Sequence, residues 1–246
     1  TLSLSGNFDL LASGANTAVV THQGGTLEIR GTPTYGTGFD FYRWVSNANT
    51  VLQAGTGGAV ITRAVNLDVA TGSSNVVVDS NFLGSIGGSN SISFTDAFNA
   101  NTSNPARQKL VITNTGGTTF QTFNIGNNTT NDRHIAIDTT TTSVNVEIVN
   151  IQKQNTSGIG SFTKLGAGTV EIAGTGSYNG ATTVTGGTLL VSGSLSSGGA
   201  LVTVQDGATL GGSGTINRAV TVAANANLNP GNSTGTLDIV GALTLA

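Results

Sequence analysis

The residues whose types and spacing come nearest to chemistry are Asp132, Arg133 and His134, with Asp138 four positions further on. A carboxylate, a cation and an imidazole side by side are ingredients of acid–base hydrolysis. Glycoside hydrolysis, though, needs two carboxyl groups converging within several ångströms across a sugar, and triplets of this kind arise by chance in polar segments. This one lies in an Asn/Thr-rich run, GNNTTNDRH (126–134), and no Asp-Asp pair or Gly-His-Gly run occurs in the chain. The segment reads as a solvated loop and the chain as a non-enzyme, with no catalytic residue assigned. His22, alone in a strand-corner phrase, reads as an exposed side chain.

Cation chemistry fares no better. Repeated Gly-Gly-x-Gly-x-Asp turns that cage calcium do not appear, and Asp206-Gly207 reads as a turn. Without cysteine there are neither disulfides nor thiolate metal sites. Glycines are abundant, but never in the strand-to-helix setting that cradles phosphates, so neither a metal nor a cofactor is expected. Two other patterns invite a binding role. Phe39, Phe41, Tyr42 and Trp44 form the densest aromatic patch, a contact surface for a sugar or a subunit, or else filling for a wide core. The Thr-x-Thr phrases at Thr113–Thr115 and Thr183–Thr185 do not recur at one coil position, so they read as outward-facing strand threonines and not as a hydroxyl ladder that could face ice.

Composition narrows the possible partners. Twelve acidic and nine basic residues, scattered singly, give a net charge of −3; no basic stripe exists to follow a phosphate backbone or an anionic membrane. Charged residues are 9% and apolar ones 37%, the latter mostly Val, Ile, Leu and Ala in short alternating runs that can fill a narrow core. No apolar run is long enough to span a bilayer. With Thr and not Met at position 1, the start reads as a processing site or an arbitrary boundary, in keeping with an exported precursor.

The elements that must position any site are strands. No window keeps an i, i+3, i+4, i+7 apolar stripe, whereas β-branched runs recur throughout, among them Thr26–Arg30, Lys109–Thr113, Ser143–Val149, Thr169–Ala173 and Val202–Val204. Between them stand seven Gly-Gly pairs, Asn179-Gly180 and Asp206-Gly207, which accept positive φ at sharp corners. A phrase recurs: VTHQGGTL from Val20, VITNTGGTTF from Val111, VTGGTL from Val184, VTVQDGATL from Val202 and VTVAANANL from Val220. Its spacing over the last three copies, about 18–20 residues, suits one turn of a parallel β-helix. At about 20–25 residues per coil the chain makes ten to twelve coils, a rod about 50–55 Å long. A single solenoid domain spanning 1–246 is expected. Twelve of the thirteen aromatic residues lie at or before Phe162, so 1–159 is expected to hold more irregular, wider coils and 160–246 regular ones. The runs Asn99–Gln108 and Gly126–His134 read as loop excursions.

Phe162–Gly193 (FTKLGAGTVEIAGTGSYNGATTVTGGTLLVSG) carries Lys164, Gly166, Gly168, Thr169, Gly174, Tyr178, Gly180, Thr182, Thr183, Val184, Gly186, Gly187, Thr188, Leu189 and Val191. In these residues it closely resembles the autotransporter-associated β-strand repeat, found in passenger regions of autotransporters and related surface proteins of Gram-negative bacteria. The residues from Gly207 onward, including PGNSTGTL (230–237), are similar to the coils that trail this repeat. The resemblance covers about a third of the chain. It implies a right-handed parallel β-helix on the cell surface, in a family whose passengers include adhesins, fibres and some enzymes. No segment is similar to the family's C-terminal outer-membrane barrel.

The ends point the same way. TLSLS (1–5) and LDIVGALTLA (237–246) are strand-like and nearly uncharged, where solenoids are usually capped against edge pairing. Leu2, Leu4, Ile239, Val240, Leu243 and Leu245 are therefore the expected assembly interface, joining copies head to tail or joining flanking solenoid coils. The expected function is an extracellular structural protein, a subunit or segment of a surface filament with scope for adhesion to glycans. The alternative is a secreted polysaccharide-active enzyme or carbohydrate-binding β-helix module using Asp132–Asp138 or Phe39–Trp44.

Overall fold

The computed structural model describes residues 2–4, 9–10, 19–22, 25–31, 34–35, 41–45, 50–61, 64–68, 76–79, 92–101, 109–112, 116–125, 133–153, 158–231 and 234–246, with side chains from Leu110 onward apart from Arg133. All regular structure among them is β, and the strands pair in parallel as a β-solenoid. Val, Ile and Thr dominate these short strands because branched side chains pack on a pleated surface, while the Gly-rich segments between them turn the chain.

Each coil contributes to three parallel ladders, here faces A, B and C. In one coil, Gly160–Gly166 lies on face A, while Thr169–Gly176 runs along face B and crosses to face C at Gly174. The next coil repeats the order with Thr182–Val184, Thr188–Val191 and Ser194–Leu195. Then come Val202–Val204, Thr209–Gly212 and Thr215–Ile216. Alternation places every second residue inside. On face A, Leu110, Ile137, Lys164, Val184, Val204, Val222 and Leu245 align in one column. On face B, Phe120, Ile148, Ile172 and Val191 align; face C supplies Phe123, Ile151, Gly176, Leu195, Ile216 and Ile239. Apart from Lys164, Gly176, Ile239 and Leu245, these residues belong to one continuous buried core.

Corners explain the glycines. Between faces A and B the backbone takes positive φ at Gly166, Gly187, Gly207 and Asn225, the last the only non-glycine so placed among the described residues. Between faces B and C the requirement is space: a Cβ on Gly193 would strike the Gly174 carbonyl, and one on Gly214 the Gly193 carbonyl. Stacked coils touch there through backbone alone.

Two segments expected to leave the stack contribute to it. Asn99–Asn101 ends the strand Ile92–Asn101, and Arg133–His134 begins the strand Arg133–Thr139. Asn99 aligns with Asn66 and Asn124, and Asn124 with Gln152, so the polar run is held by backbone pairing on both sides. Residues 102–108 and 126–132 lie outside the described residues.

Candidate functional site

The Asp132–Asp138 segment does not assemble a catalytic group among the described residues. Asp132 lies outside them. His134 and Asp138 lie on one strand of face A, both pointing outward, four residues and therefore about 13 Å apart along the chain. The His134 Nε2 is 3.2 Å from the Thr163 hydroxyl, and burial lowers the imidazole pKa. The imidazole is thereby engaged with the next coil. More broadly, no group of three or more His, Cys, Asp or Glu that could hold a metal ion is found among the described residues.

Of the aromatic patch, Phe41, Tyr42 and Trp44 fall in the strand Phe41–Val45, paired in parallel with Val19–His22 on one side and Ala64–Asp68 on the other. The patch is thus continuous with face C in its backbone; Phe39 lies outside the described residues.

The expected assembly residues sit at the two edges of one ladder. Leu2–Leu4 pairs with Leu27–Ile29, which continues through Thr50–Ala54, Val76–Val78, Lys109–Ile112 and Ala136–Thr139 along face A. At the other edge Leu243–Leu245 pairs with Val220–Val222. Leu243 and Leu245 extend inner columns of face A yet are 44% and 66% exposed, and Val240 is 69% exposed. Ile239 packs partly buried against the core. Among the described strands Leu243–Leu245 is thus paired on one side only, and it presents core-type side chains.

Two buried cations form sites that sequence reasoning missed: Lys164 figured there only among the residues of the family resemblance, and Arg218 not at all. Lys164 is fully buried, and its ammonium donates to the carbonyls of Leu165, Gly166 and Gly186 at 2.7, 2.9 and 3.0 Å. Burial pulls its pKa down to about 8, against a raising influence from Asp138. An ammonium has three protons for three carbonyls, so the site ties the A–B corner of one coil to that of the next. Arg218 does the same at the C–A corner over a longer reach. Its Nε donates to the Ser196 carbonyl at 2.9 Å, one Nη to the Tyr178 carbonyl at 2.6 Å, and the other toward the Gly180 carbonyl and the Thr182 hydroxyl at 3.4 and 3.3 Å. The guanidinium lies 4.3 Å from the Tyr178 ring centroid, and the Tyr178 hydroxyl shares a 2.6 Å hydrogen bond with Thr182. Burial raises the Tyr178 pKa despite the adjacent cation. A Cβ on Gly199 would collide with the guanidinium, so the intervening coil needs glycine where the arginine passes. Both cations are held by acceptors from neighbouring coils, an arrangement that braces the stack.

One shallow groove of about 390 Å³ runs over face B, lined by Thr119, Asn145, Glu147, Thr169, Glu171 and Leu190 among others. Glu147 and Glu171 are register neighbours on adjacent coils. Glu171 accepts a 2.6 Å hydrogen bond from Ser192, and Glu147 a 3.5 Å one from Thr119.

A comparison of the chain with protein-family models, curated proteins and solved structures finds no match.

Proposed function

We propose that this chain is a subunit or segment of an extracellular surface filament, a right-handed β-helix of ten to twelve coils that extends by end-to-end strand pairing. One observation carries the reading: Leu2–Leu4 and Leu243–Leu245 are the two outermost described rungs of the same parallel ladder, each paired on one side among the described strands. Joining the last coil of one copy to the first of the next would continue face A in the same strand direction. Such a contact is heterologous and does not close, so it propagates, and edges of this kind are what soluble proteins normally cover. A flanking coil of a longer solenoid would satisfy the same surface. The resemblance of Phe162–Gly193 to the autotransporter-associated repeat supports an exported, cell-surface setting, and the braced corners suit a load-bearing stalk. Electron microscopy and sedimentation of the 246-residue chain over a concentration series test this. Filaments that disappear when residues 237–246 are deleted are expected; monodisperse monomers at every concentration would overturn it.

A second reading, a carbohydrate-binding module, rests on the face B groove, whose size and mixed polar lining fit a small saccharide. Binding of a glycan library that is lost in Glu147→Gln with Glu171→Gln, with filament formation unchanged, would favour it.

A further inference from the structure

From residue 160 onward, face A presents a surface with an ordered chemistry. The outward residue at the centre of each strand is threonine: Thr163, Thr183, Thr203, Thr221 and Thr244 stand in register, one per coil. Beside this column the flanking positions are small or uncharged, with Ala181, Leu201, Ala219 and Ala242 on one side and Thr185, Gln205, Ala223 and Ala246 on the other. Leu201 is 41% exposed. The charged residues of 160–246 are only Lys164, Glu171, Asp206, Arg218 and Asp238. Both cations are buried inside, Glu171 and Asp238 belong to the strands of faces B and C, and Asp206 lies in the turn beyond the face A strand. Over these coils the face carries no charged side chain; one coil further along the same ladder stand His134 and Asp138.

We propose that this threonine face is a lateral docking surface for a second copy of the same chain, packing face A on face A between neighbouring filaments; the inference rests on the filament reading above. Three properties favour a copy of itself over another occupant. A face without charge does not repel its like, whereas sheets that must stay apart carry charges as a guard. It has no exposed cation to receive a polyanion and no exposed aromatic ring to stack on a sugar. Its residues are short and repeat at the coil spacing, so two such faces can interdigitate rung against rung, as stacked sheets do. Size sets when this happens. Five rungs at about 4.8 Å, each about 13 Å wide, give about 250–300 Å² per chain, well below the roughly 800 Å² per partner of a stable dimer. Single chains therefore stay apart, while filaments, in which every added subunit contributes its own face, associate sideways by multivalency.

Because the chain has no cysteine, single-cysteine variants report the contact directly. Thr203→Cys and Thr221→Cys place a thiol at the centre of face A, and Thr209→Cys places one on face B as the control. Under a mild oxidant, covalent dimers are expected about tenfold faster for the face A variants than for the face B variant, because the trap captures even brief encounters and so does not depend on filaments. In microscopy, Thr203→Lys with Thr221→Lys is expected to leave single filaments and abolish bundles, with circular dichroism and the melting profile confirming the fold. Loss of filaments altogether in the unaltered chain would sink the end-to-end reading, while the cysteine trap would still decide the face. Equal cross-linking on both faces, or none, overturns lateral docking. Adsorption to ice or to an insoluble glycan that Thr203→Lys abolishes, without cross-links, would overturn it as well and assign the face to that solid.

Discussion

At the scale of single residues, the buried polar groups hold coils together. Lys164 shows how a charge is tolerated inside a narrow core: three carbonyls receive its three protons, and the burial cost appears as the pKa depressed to about 8. Replacing it by methionine keeps the stem but leaves those carbonyls without their donor, so Lys164→Met is expected to lose about 1–3 kcal/mol in chemical denaturation. The pH dependence has a defined sign. The folded amine gives up its proton near pH 8 while the unfolded one holds it to its ordinary value of 10.5, so between these the unfolded chain binds more protons and stability rises with pH. The stability of the unaltered chain relative to Lys164→Met should therefore increase from pH 8 to pH 10; a flat difference would remove the buried-amine account. Arg218 is bound by a planar fork of four contacts that a lysine cannot reproduce.

At the scale of elements, the corners decide which sequences can coil. Gly187 and Gly207 both take positive φ between faces A and B, yet for different reasons. A Cβ on Gly207 meets nothing within 4 Å, whereas one on Gly187 would strike the carbonyls of Gly168 and Gly166. Asparagine tolerates the left-handed region, and Asn225 occupies it one coil after Gly207. Gly207→Asn is thus expected to change the melting temperature little. Gly187→Asn is expected to lower it by several degrees, since about 1 kcal/mol moves a domain of this size by roughly 2–4 °C and the backbone there has no room to yield. Equal effects at the two positions would contradict the distinction between strain and space.

At the scale of the whole molecule, stability is close to a sum of coils and of the contacts between neighbours, and among the described strands Leu243–Leu245 is paired on one side only. Leu245, 66% exposed, can accept a lysine without disturbing the coil beneath it. Under the filament proposal, Leu245→Lys should leave circular dichroism unchanged and raise the concentration needed for assembly at least about tenfold, as a charge on an open strand edge blocks pairing. Sedimentation velocity reads this directly, and unaltered assembly would place the contact elsewhere.

What the sequence determined by itself is local. Short runs of β-branched residues favour strands and Gly-rich intervals favour corners, so the all-β solenoid was legible in phrases such as VTVQDGATL, as was the apolar character of Leu243 and Leu245. Only the tertiary structure decided which residues stack. The threonine column escaped a search for recurring Thr-x-Thr because its members are spaced by 18 to 23 residues: corners of different length absorb the variation while backbone pairing keeps the rungs aligned. For the same reason Arg218 and Tyr178, forty positions apart, give no sign in sequence of their contact. Register is a property of hydrogen-bonded neighbours in space, and the chain records it only after it has coiled.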